Sequence, residues 1–213
     1  AVNDALAAGI PIIAIDTGVS GAEVTSFVAT DNLAVAKVQG AVAATLIEDG
    51  DMIIYVTGSQ AQSTGQDRRN GFLAGFTAAR PNSQVLEVPT EWNSEQAQVG
   101  VEALLNQNSD VKMIVHAWDG GTMASVAALT NLGYGPGDVK LVGFDGASDA
   151  IAAMDQGWVH ANTAQMLYQM GYQGIRAAAA AARGEPVAAR IDTGFFLVTP
   201  ATSGVYKQMV GIQ

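Results

Sequence analysis

Six places in this chain end an apolar run with side chains suited to hydroxyl-bearing ligands. They are Asp16, Gln66 with Arg68, Trp92 with Asn93, Trp118 with Asp119, Asp145, and Gln165. Carboxylates accept hydrogen bonds from hydroxyls, amides both accept and donate, and an indole face packs on the C–H face of a ring. The set therefore reads as a binding surface for a neutral polyol. It does not assemble into a catalytic centre. The chain has two His and no Cys, so a nucleophile, base and orienter cannot be combined from spacing, and thiolate or Cys-metal chemistry is excluded. Asp16 and Asp145 imitate a glycosidase carboxylate pair, and that reading would need hydrolytic turnover to support it. No enzyme activity, metal or cofactor is expected.

Each candidate also has an ordinary structural reading. An Asp after a strand commonly caps the next helix, which applies most to Asp119. Arg68, at a helix start, commonly pairs with a carboxylate. Trp92 and Trp118 could belong to the core, although each ends an apolar strand beside polar residues, which suits a cleft wall. His116 and His160 lie within strands and read as core or surface residues. The loop Gly58 to Gly65 has the glycines of a phosphate cradle, but Gln66 stands where the nucleotide-binding pattern needs Lys.

Strand and helix units must place these groups. Gly9 closes a short amphipathic helix, and Ile10 to Asp16 is an apolar strand with proline near its start. Val24 to Ala29 reads as a second strand. A helix follows, with Val35, Val38, Val42 and Leu46 as its expected buried face. Strands are expected at 51–57, 85–88, 111–117 and 140–144, each followed by a helix. Asn93 with Gln96 resembles a capping pair, and Ala97, Val101, Leu104 and Leu105 form the stripe of the helix they start. Strand 158–163 ends at Gln165, a helix runs from Leu167 to Arg183, and Arg190 to Val198 is expected as one final strand before a short tail.

Four consecutive strand and helix units between residues 33 and 157 imply an α/β, doubly wound parallel sheet. In such sheets ligands bind at the carboxyl ends of the strands. Residues 32–163 are expected to form a complete lobe, and 1–31 with 164–213 part of another. A chain that opens inside a helix is expected to lack a preceding part. The net charge of -10 opposes nucleic acid and anionic lipid, and no apolar run is long enough to span a bilayer.

Gly9 to Asp16, Arg68 to Phe72, Val142 to Gly146, and Thr163 to Gln165 with Met170-Gly171 together resemble the ribose-type periplasmic sugar-binding proteins, substrate receptors of ABC importers. The resemblance implies two Rossmann-like lobes joined by three hinge crossings, near Thr30 to Asn32, Ala161 to Ala164 and Ile191 to Thr193. It also implies that roughly 60 to 90 residues of the first lobe precede this chain, at about 30 per βα unit. By position, Asp16, Trp92, Asp145 and Gln165 match the family's sugar contacts. Thr17 and Gln66 stand where ribose binders carry Arg, and Trp118 where they carry Asn. Loss of two guanidinium forks and gain of an indole point to a neutral sugar, sugar alcohol or related cyclic ligand other than ribose. The expected partners are that ligand and a permease, with a periplasmic or extracytoplasmic location. The alternative is the effector-binding core of a lactose-repressor-type transcription factor.

Overall fold

The structure, a computed structural model, describes residues 1–212. The chain divides into two compact units, residues 1–31 with 165–195 and residues 32–164 with 196–213. Residues 196–213 thus group with the larger unit and not, as expected, with the smaller. The reason is local: Val198 and Tyr206 are buried in the larger unit's core, and the Tyr206 hydroxyl donates to the Gly146 carbonyl at 2.9 Å.

The smaller unit holds α1 (Val2–Ala7), β1 (Ile13–Ile15), β2 (Ser26–Ala29), α7 (Leu167–Ala182) and β8 (Arg190–Asp192). Its sheet runs β1-β2-β8 with parallel pairing throughout. Val28, Met170 and Ala177 form its core, so α7 packs its apolar stripe on β2. Gly9 follows α1 with φ +75, the left-handed conformation that lets a chain leave a helix, and the amide after it bonds back to Ala5.

The larger unit is built from α2 (Asn32–Ala44), β3 (Met52–Val56), α3 (Ser63–Ala79), β4 (Gln84–Val88), α4 (Ser94–Gln107), β5 (Val111–His116), α5 (Asp119–Asn131), β6 (Lys140–Asp145), α6 (Ser148–Asp155) and β7 (Val159–Gln165). The chain then returns as β9 (Phe195–Val198) and α8 (Ser203–Val210). The strand order is β4-β3-β5-β6-β7-β9, and the pairs from β4 to β7 are parallel. Ile53, Ile54, Tyr55 and Val56 are wholly buried, as a central parallel strand covered on both faces requires. Among the described residues no helix is long and apolar enough to cross a membrane.

Three local expectations change. The buried residues of α2 are Asn32, Val35, Ala36, Gln39, Gly40, Ala43 and Ala44, while Val38 is exposed. Small residues win because α2 and α3 meet backbone to backbone. A Cβ on Gly40, Gly71 or Gly75 would lie 2.1–2.3 Å from a carbonyl oxygen of the facing helix. The expected strand 190–198 is two strands in two sheets, broken at Gly194 with φ +72. The tail carries α8, whose Tyr206 and Ser203 are buried.

Candidate functional site

In the larger unit β3 leads to β4 on one side and β5 lies on the other, so the strand order reverses between β3 and β5. Crevices for ligands form at such a reversal, outside the carboxyl ends of the strands. The side chains gathered there are Trp92 after β4, Trp118 after β5, Arg68 in α3 and Asp145 at the end of β6.

Trp92 is held from three directions. Its ring lies over Gly58, where a Cβ would come within 2.0 Å of the indole. Its Nε1–H donates to Gln62 Oε1 at 2.7 Å. It meets the Trp118 ring at 90° with centroids 5.5 Å apart, an edge-to-face geometry favoured by the ring quadrupoles. Its indole N–H is therefore spent on the protein, and what it offers a ligand is apolar ring. Trp118 is nearly buried and lies against Gly120 and Gly121, where added Cβ atoms would crowd its ring.

Arg68 is 3% exposed. Its Nε donates to Asn32 Oδ1 at 2.8 Å, and its Nη1 donates to the Ala117 carbonyl at 2.6 Å and to Asp145 Oδ1 at 2.9 Å. The guanidinium stacks 3.9 Å from the Phe144 ring centre and lies 5.7 Å from that of Trp92. It thus ties α2, the β5 exit and the β6 tip together and neutralises Asp145. Asp145 itself stays 27% exposed, so part of its side chain remains accessible to solvent.

Backbone conformation marks three of the candidates. Among the described residues the non-glycine ones with positive φ are Asp16 at 70°, Trp92 at 58° and Asp145 at 111°. Such conformations cost on the order of 1–3 kcal/mol each and persist where surrounding structure over-determines them, often at ligand sites. Asp16, in the smaller unit, bonds Val28 through its amide and accepts from the Thr17 hydroxyl at 3.0 Å. Gln165, also of the smaller unit, is buried at the end of β7.

The remaining candidates do other things. Gln66 is exposed and donates to the Gln60 carbonyl at 2.8 Å, helping to fold the loop after β3. Asn93 caps α4, accepting from the Gln96 amide at 2.9 Å, while Gln96 accepts from the Glu91 amide at 3.2 Å. Asp119 is not the cap of α5 but its first residue, and it is buried. Burial, with the charge of Asp145 next in weight, pushes its carboxyl up to about 8. His116 is a core residue between the Val142 carbonyl and the Ser125 hydroxyl, and burial holds it down at about 4. Sequence reasoning missed Gln62 and Gly58, whose roles depend on where the Trp92 ring lands. Among the described residues no cluster of three or more His, Asp or Glu is placed to hold a metal ion.

Comparison with known proteins identifies the family. The family model described as periplasmic binding protein domain matches residues 1–186. The ribose import binding protein of Escherichia coli is 29% identical over 198 residues, covering 93% of this chain and 66% of that protein. The chain thus spans just under two thirds of that relative. An ABC transporter solute-binding protein from Mycobacterium smegmatis with bound glycerol superposes with a TM-score of 0.87 at 30% identity, over 96% of this chain and 70% of that one. One from Agrobacterium vitis with bound D-fucose gives a TM-score of 0.90 at 25% identity, over 99% and 73%. The chain belongs to the periplasmic binding protein family.

Proposed function

We propose that the chain is the ligand-binding part of a solute receptor that delivers a neutral sugar, sugar alcohol or related cyclic polyol to an ABC importer. One observation carries this reading. At the reversal of the strand order, Trp92 is locked in a strained backbone conformation against Trp118 and beside the Arg68-braced Asp145. The indoles supply an apolar wall for C–H groups, and Asp145 supplies a hydroxyl acceptor. Because Arg68 already balances Asp145, a neutral ligand leaves no charge uncompensated.

Asp16 and Gln165 are proposed as ligand groups of the smaller unit, Asp16 because it too is held at positive φ. Arg68 acts as a brace for Asp145. Gln66 and Asn93 contribute by shaping the loops around Trp92. The named relatives are a ribose import binding protein and two ABC transporter solute-binding proteins, which supports this reading over a repressor's effector core. A permease partner and an extracytoplasmic location follow from the same reading.

The test is a fluorescence titration with D-glucose, D-galactose, D-allose, D-fucose, myo-inositol and glycerol. Saturable quenching or enhancement of tryptophan emission by at least one of these is expected. A flat response across the panel, matched by no binding in equilibrium dialysis, would overturn the reading.

A further inference from the structure

The turn that presents Asp145 is tied down from behind by a buried acid. Asp119, 2% exposed, accepts from the Ala147 amide at 2.8 Å, from Asn162 Nδ2 at 2.7 Å and from the Thr122 hydroxyl at 3.2 Å. Gly143 makes this possible, since a Cβ there would lie 2.5 Å from both Asn162 Nδ2 and Asp119 Oδ1. The Ala147 bond matters most for the site. It closes the turn formed by Asp145 and Gly146, which adopt φ of 111° and 80° in succession.

One hydroxyl proton stands between two acceptors beside Asp119. Thr122 Oγ1 lies 3.2 Å from Asp119 Oδ1 and 3.3 Å from the Trp118 carbonyl, and it has a single O–H to give. An ionised Asp119 only accepts, so the two acceptors compete for that proton. A protonated Asp119 carries an O–H of its own, which the Thr122 hydroxyl accepts while donating to Trp118, and the Asn162 and Ala147 donors keep their acceptors on the two carboxyl oxygens.

We propose that Asp119 is a positioning residue that works as a neutral acid, joining Asn162 to the Ala147 backbone and so holding Asp145 in its strained, ligand-facing conformation. The proposal rests on the reading of Asp145 as a ligand group. The elevated Asp119 carboxyl fits it. The titratable and charged groups around Asp119 leave it without a cation of its own. Asp145 on β6 is the nearest carboxylate, and Arg68 on α3 bonds Asp145. Tyr206 on α8 donates to Gly146, and its hydroxyl is raised by burial and by both acids. His160 on β7 is turned toward Leu141, and His116 on β5 toward Val142 and Ser125. Once ionised, Asp119 is a second buried carboxylate beside Asp145 with no cation of its own, and opening the turn to hydrate it becomes easier.

Two readouts separate this proposal from the sugar reading. The first needs no ligand: amide protection of Ala147 between pH 6 and 9 in wild type, Asp119→Asn and Asp119→Ala. Opening the turn exposes Asp119, whose ordinary value is 3.8 against about 8 when buried, so wild-type protection should fall by about tenfold per pH unit from pH 6 toward pH 8 and level off above it, Asp119→Asn should show no such slope, and Asp119→Ala should be at least tenfold less protected at pH 6. The second is calorimetric affinity for D-allose and D-fucose. Wild-type binding should weaken about fivefold between pH 8 and pH 9, while Asp119→Asn binds more weakly than wild type at pH 6 but without the pH step. Equal pH profiles for wild type and Asp119→Asn, or full Ala147 protection in Asp119→Ala, would overturn the proposal alone. Failure of wild type to bind either sugar at any pH, with the Ala147 profiles as expected, would overturn the sugar reading and with it the turn's part in ligand binding.

Discussion

Replacing Arg68 by Ala should destabilise the larger unit by about 3–5 kcal/mol, the cost of removing one partner from a buried ion pair. The structure supplies the reason in detail. The guanidinium is 3% exposed, so solvent does not screen its interactions. Its loss leaves Asn32 Oδ1, the Ala117 carbonyl and Asp145 Oδ1 without a donor that currently lies 2.6–2.9 Å away, and it empties the space 3.9 Å above Phe144. These losses overlap and do not add. Arg68→Lys should recover part of the deficit, because one ammonium cannot reproduce the planar fork that reaches three separate elements. The assay is urea unfolding followed by tryptophan fluorescence. All three tryptophans, Trp92, Trp118 and Trp158, lie in the larger unit, so the signal reports that unit by itself. A loss below about 1 kcal/mol in Arg68→Ala, the value of an exposed pair, would refute the brace.

Gly58→Ala should fold but lose ligand affinity at least tenfold, since its Cβ would occupy the Trp92 ring position, 2.0 Å from the nearest ring atom; calorimetry measures the loss. His116 is held neutral by burial near a value of about 4, against 6.5 for the free side chain. Its contribution to stability is therefore complete above pH 6.5 and lost as pH falls toward 4, by about 3 kcal/mol in total. Urea unfolding at several pH values should show this slope in wild type and a shallower one in His116→Gln. Asn93→Ala should cost about 1 kcal/mol of stability through loss of the α4 cap, measured by the same denaturation curves.

Most of the alternation of strands and helices was legible because each β strand of the larger unit is a short β-branched or apolar run between turn residues. Met52 to Val56 and Lys140 to Asp145 are examples. The candidates were legible as a set of strand exits, and the positive φ values of Asp16, Trp92 and Asp145 fall on three of them. What was not legible depends on which elements become neighbours. The glycine face of α2 could not be told from its valine face without knowing that α3 would approach backbone to backbone. The break at Gly194 separates two strands only because β8 and β9 join different sheets. Arg68 and Asp145 stand 77 positions apart, so their pairing, and the burial that makes Asp119 an acid, appear only once the sheet is assembled.

The Trp92 and Trp118 wall beside Asp145 is proposed to bind a neutral polyol. Isothermal titration of wild type and Trp92→Ala with the tightest-binding sugar of the panel tests it most directly. Removing an indole face that covers on the order of 100 Å² of ligand should cost about 2–3 kcal/mol, roughly a 30- to 150-fold loss of affinity. Unchanged affinity in a Trp92→Ala protein that unfolds like wild type would show that the indole wall does not hold the ligand.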